Sequence, residues 1–143
     1  VGIVPPSTYS IVDASTGTKL GTLDVKSSGN QPGPDDYLYA PISDAYVVTN
    51  PETGKRLVAM TGNFGDRCSD FSEIKMNSVE EVKKTGVLVV QPVISRDETQ
   101  NCAQAKVRFL KTVELDSQIP TGVYLLHVRA LNGQAVNKVV DLD

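Results

Sequence analysis

One pattern recurs along most of this chain: short runs of alternating apolar and polar residues, each closed by residues that reverse direction. The clearest run covers 106–115. Val107, Phe109, Val113 and Leu115 fall on one side, interrupted by Lys111, while Arg108, Thr112 and Glu114 fall on the other. Successive side chains of a strand point to opposite faces, whereas a helix would scatter these apolar positions around its circumference. The chain is therefore expected to be built from strands.

The rest follows the same grammar. A run at 123–130 puts Tyr124, Leu126, Val128 and Ala130 on one face, and a partner run occupies 135–141. Between them Asn132-Gly133 predicts a two-residue hairpin turn with both central residues at positive φ. Further strands are expected at 87–94, 71–76, 55–61 and 45–49, the last two flanking the loop Asn50-Pro51-Glu52-Thr53-Gly54. Ser78 and Glu81 have capping-box spacing, Glu80 and Lys84 form an i,i+4 pair, and Gly86 suits a helix end. This predicts about two helical turns inserted between strands, stable only if packed on the sheets. From Ala45 onward the count is seven strands, the number an immunoglobulin-like antiparallel sandwich requires.

The first part of the chain reads as an addition. Runs at 8–13 and 20–26 flank Ser15-Thr16-Gly17, and Thr16-Gly17-Thr18-Lys19-Leu20 echoes Thr53-Gly54-Lys55-Arg56-Leu57. The Ser/Gly/Pro/Asp-rich stretch at 27–36 has linker composition. The expected division is an arm, hairpin and linker over 1–36 and a sandwich over 37–143.

Composition narrows the function classes. The 143 residues are 40% hydrophobic and 22% charged, ordinary for a globular domain and unlike a disordered chain. The 14 Lys and Arg residues are scattered and the net charge is −3, so no phosphate-binding face is expected. Apolar runs are far short of a membrane span. The start at Val1 has neither a basic segment nor a long apolar stretch, as expected of a mature or trimmed protein and equally of a cytosolic one, so the cysteines must help decide.

The cysteines are Cys68 and Cys102. Neither belongs to a CxxC motif, which argues against zinc and redox sites. The alternatives are one disulfide in an oxidising compartment or two buried thiols. Topology favours the disulfide: strands that alternate in direction place the loop after the second strand and the loop after the fourth at the same end, as a bridge needs. The antibody-domain bridge across the core and its tryptophan are absent.

Leu115, then Ile119-Pro120-Thr121-Gly122-Val123-Tyr124, resembles the "LPxGxY" corner of many bacterial immunoglobulin-like domains. A longer set is similar to a group of secreted bacterial domains often described as hypothetical lipoproteins. It comprises Ala40-Pro41-Ile42, Cys68, Glu73-Ile74, Cys102-Ala103-Gln104, Phe109, Val113, Pro120, Gly122, Tyr124 and Val128. The resemblance implies export, a disulfide, a sandwich and a tyrosine tying the corner to the backbone; it implies no activity. Arg67 departs from the expected glycine, and the helical insert replaces a short turn.

No catalytic, cofactor or metal site is expected. His127, the one histidine, has the parity of a solvent-facing strand residue, and a base without a nucleophile or orienting partner is not a catalytic group. Asp35-Asp36 and Asp66 with Asp70 lack calcium-loop spacing. Gly62-Asn63-Phe64-Gly65 is a glycine-containing turn without phosphate-loop spacing. Tyr37, Tyr39 and Tyr46 make the one visible aromatic cluster. The candidate interaction loops are those near the cysteines and the Asn-Gly turn, carrying Asn63, Phe64, Asp66, Arg67, Arg96, Asp97 and Asn132. The candidate assembly arm carries Ile3, Val4, Tyr9 and Ile11, which could add to a neighbour's open sheet edge. The reading is a non-catalytic secreted, cell-surface or periplasmic module that contacts a protein partner or itself. The alternative is a ligand-binding or protease-inhibitor module that presents the 96–101 loop.

Overall fold

A computed structural model describes residues 7–26, 33–97, 99 and 101–143. The chain divides into two compact units, Val1–Tyr37 and Leu38–Asp143. Ile3 and Val4 lie outside the described residues, as do 27–32 of the linker stretch.

In the first unit β1 (Ser7–Val12) and β2 (Lys19–Val25) form an antiparallel hairpin. Tyr9 faces Leu23 and Ile11 faces Gly21 across it. Alternation makes the ribbon two-sided, with Tyr9, Ile11, Leu23 and Val25 on one face and Thr8, Ser10, Thr22 and Asp24 on the other. Ile11 remains 46% exposed and Leu23 52%.

Among the described residues, the second unit contains seven strands: β3 (Ile42–Thr49), β4 (Arg56–Asp66), β5 (Ser69–Met76), β6 (Val87–Arg96), β7 (Gln104–Glu114), β8 (Gly122–Arg129) and β9 (Ala135–Leu142). They build a β-sandwich of two sheets, β3-β4-β7 and β5-β6-β8-β9. Their inner faces meet in one core. Ala45, Val58 and Met60 come from the first sheet, and Leu88, Val90, Leu126 and Val128 from the second. Burying each of the larger side chains stabilises the fold by roughly 1.5–3 kcal/mol.

The expected all-antiparallel arrangement requires a correction. β6 and β8 run parallel, Val87 opposite Leu125 through Val90 opposite Val128. Strands that alternate in direction along the chain point the same way when one strand, here β7, separates them. Because β6 rather than β5 borders β8, that pair is parallel. Beyond Val90 β6 changes partner. Ala40 N–H donates to Pro92 O, Ile94 N–H donates to Leu38 O, and Leu131 N–H donates to Ala40 O. Pro92 has no N–H to give to a ladder, and the handover occurs at that residue.

The inserted helix α1 (Val79–Thr85) has the expected cap. Glu81 N–H donates to Ser78 Oγ (3.3 Å) and Ser78 N–H to Glu81 Oε2 (3.2 Å), and the chain leaves at Gly86 in the left-handed region. Val82 is fully buried and anchors the helix to the core. The ion pair on its surface is Glu80–Lys83 (3.8 Å), not the expected Glu80–Lys84. At the corner after β7, Tyr124 Oη donates to Pro120 O (3.0 Å), while Arg56 Nη2 donates to Ile119 O (2.5 Å). In the Asn-Gly turn, Asn132 and Gly133 have φ of 61° and 71°.

Candidate functional site: the disulfide-clipped end

Four strand termini meet at one end of the sandwich. β4 ends at Asp66, which pairs with Gln104 of β7, and β5 begins at Ser69, which pairs with Arg96 of β6. The Cys68–Cys102 disulfide joins the β4–β5 turn to the chain entering β7, with Cα atoms 5.7 Å apart.

Asp66 organises this end. Its Oδ1 accepts from Cys68 N–H, Ser69 N–H and the Ser69 hydroxyl, all at 2.9 Å. Its Oδ2 lies 3.0 Å from Arg96 Nε. The Ser69 hydroxyl comes first among the influences that hold the Asp66 carboxyl below the usual carboxylate range. The two amides and the Arg96 charge act with it, and desolvation opposes them. Asp97 N–H donates to Cys68 O (3.0 Å), and Asp97 Oδ1 accepts from Thr99 N–H (3.0 Å) and Oγ1 (2.6 Å). Arg67, at the tip of the turn, is exposed and makes no ion pair among the described residues.

The candidate residues do not all assemble here. Asp66, Arg67, Arg96 and Asp97 converge. Phe64 does not belong to the loop; it is 6% exposed, in the core. Asn63 is also a strand residue, paired with Arg108. The run 61–65 has turn-like composition, yet β4 continues through it because Gly62 is required by packing. A Cβ there would stand 2.1 Å from Pro41 O and 2.6 Å from the Phe109 ring. Asn132 is placed elsewhere: the β8–β9 turn is tied to Ala40, level with Pro92 and short of the end of β6.

The aromatic cluster that forms is not the tyrosine set. Phe64, Phe71 and Phe109 stack with centroids 4.6–5.4 Å apart, just inward of the disulfide-clipped end. Tyr39 is buried and Tyr46 is 38% exposed. Three phenylalanines on three different strands carry no local signal of convergence. His127 Nδ1 lies 2.6 Å from Asn137 Oδ1, its cross-strand neighbour, within hydrogen-bond distance. Among the described residues, no three His, Cys, Asp or Glu side chains are grouped to hold a metal ion.

A family model described as ORF11 beta-sandwich domain matches residues 58–142, from the middle of the second unit's first hairpin to the last residue of β9. Comparison with curated proteins and with solved structures found no match.

Proposed function

The chain belongs to the ORF11 beta-sandwich domain family, and from that premise we propose that it is a non-catalytic, extracytoplasmic recognition module that meets a protein partner through its disulfide-clipped end. The observation that carries the reading is the bracing of that end. A covalent bridge and the hydrogen bonds gathered by Asp66 hold four strand termini around an outward-pointing Arg67. A rigid, pre-ordered tip loses little entropy on binding, and arginine is enriched where interfaces concentrate their energy. The disulfide supports an oxidising compartment, as does the resemblance to secreted bacterial domains. No helix among the described residues is long and apolar enough to cross a membrane.

A photo-crosslinking residue placed at Arg67 in the native host tests this, with the same residue at Glu52 in the opposite-end β3–β4 loop as reference. The expected result is a discrete adduct from position 67 and none from 52. Equal labelling, or none from either, rejects the tip as the contact.

A second reading, self-assembly, is favoured by the exposed apolar face of the β1–β2 hairpin. Tyr9 and Ile11 belong to that face, while the rest of the candidate arm, Ile3 and Val4, lies outside the described residues. Sedimentation of the full chain against one starting at Leu38 tests it, with loss of oligomer on trimming expected. The inhibitor alternative rests on the 96–101 loop, of which 98 and 100 lie outside the described residues.

A further inference from the structure

On the outer face of the three-stranded sheet, a depression of about 330 Å³ is lined by Ser43, Thr61, Gly62, Asn63, Lys106 and Arg108. Two irregularities flank it. β3 shifts register between Ile42 and Asp44, which leaves Ser43 unpaired, and the β4–β7 ladder shifts between Phe64 and Asp66, opposite the segment that carries Lys106. Bulges re-aim side chains and recur beside binding sites. The Ser43 hydroxyl donates to Thr61 O (3.1 Å), which leaves its lone pairs for an incoming donor.

The charges are distinctive. The chain as a whole carries −3, yet Lys106 and Arg108 sit on one face, two residues apart, with no carboxylate partner among the described residues. The acid groups that flank the lining residues along β3 and β4 are already engaged: Asp44 by Lys138 and Asp66 by Arg96. The depression thus offers two free cations, one of them a planar guanidinium suited to bidentate carboxylate contact. Beside them are the Asn63 amide and the Thr61 hydroxyl, each able to donate and accept, and the Ser43 hydroxyl, whose lone pairs accept. Its volume lies at the small end of ligand sites.

We infer that this depression binds a carboxylated sugar, its acid group held by Lys106 and Arg108 and its hydroxyls by Ser43, Thr61 and Asn63. A simple inorganic anion has no donor for the Ser43 lone pairs or the Asn63 carbonyl, whereas the hydroxyls of an acidic sugar supply one. The site is separate from the Arg67 tip and stands whether or not that tip binds a protein.

Titration of the ¹⁵N-labelled full chain with glucuronate tests it, with glucose, sulfate and a tetraglutamate peptide as comparisons. Expected are saturable shifts centred on Ser43, Thr61, Asn63, Lys106 and Arg108 with glucuronate, and weaker responses to the other three. The K106Q/R108Q chain, altered only at exposed positions, should keep its spectrum and bind glucuronate at least about tenfold more weakly, the loss of one good charge-assisted contact. Shifts spread over the whole surface, an equal response to sulfate or to the peptide, or unchanged binding by the double variant would overturn the assignment.

Discussion

Two hairpins in this chain are closed by the same turn and end in opposite circumstances. In the β1–β2 turn, Asp13 Oδ1 accepts from Ser15 and Thr16 N–H, Gly17 N–H donates to Asp13 O, and Asp13 N–H donates to Thr18 O. In the β3–β4 turn, Asn50 Oδ1 accepts from Glu52 and Thr53 N–H, Gly54 N–H donates to Asn50 O, and Asn50 N–H donates to Lys55 O. Gly17 and Gly54 have φ of 70° and 67°. One hairpin then buries Ala45, Val58 and Met60, while the other leaves Ile11, Val12, Leu20 and Leu23 exposed. Turn chemistry decides that a hairpin forms. Whether it is stable depends on what covers its apolar face, and an isolated two-stranded ribbon is marginal in water.

The sharpest way to break the comparison is to remove one apolar side chain from each hairpin. Met60→Ala should destabilise the sandwich by about 2–5 kcal/mol, whereas Leu23→Ala should change the sandwich's unfolding free energy by no more than about 0.5 kcal/mol, both read from denaturant melts. A large effect of the second change would mean that the hairpin's face is covered after all. Replacing both cysteines with alanine comes next. The chain-entropy model gives about 3–4 kcal/mol for a loop of this length, read in the same melts. Amide exchange in β1–β2 should stay as it was.

Third, Gly54→Ala forces a left-handed residue to carry a Cβ and should cost about 1–2 kcal/mol of global stability. Gly17→Ala should cost as much locally, seen as faster amide exchange in β1 and β2 with the sandwich unfolding unchanged. The smallest effect concerns acid. The folded Asp66 carboxyl titrates below its usual 3.8, so its contribution is present above that pH and disappears as pH falls through the lower folded value. Asp66→Asn should flatten that acid limb for the sandwich. Asp13 is shifted down by the Ser15 hydroxyl and neighbouring amides, so Asp13→Asn should alter the acid response of the β1–β2 amides only. Proton-monitored titration by NMR separates the two.

Alternation made the strands legible, because one buried face imposes period two on each. The capping residues Ser78 and Glu81, and Asn132-Gly133, were legible because their geometry is local. The shared end for the cysteines followed from counting reversals. Sheet order was not read: the near-continuous apolar run at 87–94 suits an interior strand better than the polar-interrupted β5 does, but nothing in it names β8 as the neighbour, and the parallel pair came from that choice. Phe64 was misplaced because glycines on either side mimic a turn, while the need for Gly62 lies in Phe109, far along the chain. The depression at Ser43 and Lys106 was invisible because it depends on two register shifts in separate ladders.

Cys68 and Cys102 lie just outside the pair Asp66 and Gln104, from which the long β4–β7 ladder runs away toward Leu57 and Glu114. A chain that oxidises first therefore starts this zipper with its opening rung already aligned, and the slow search for a distant partner shrinks to sequential local closure. The ring so formed confines β5, α1 and β6 to a separate loop, free to fold at its own pace. In an oxidised chain, refolding should be faster by more than unfolding is slowed, which makes the bridge a device for the speed of assembly as much as for its endurance.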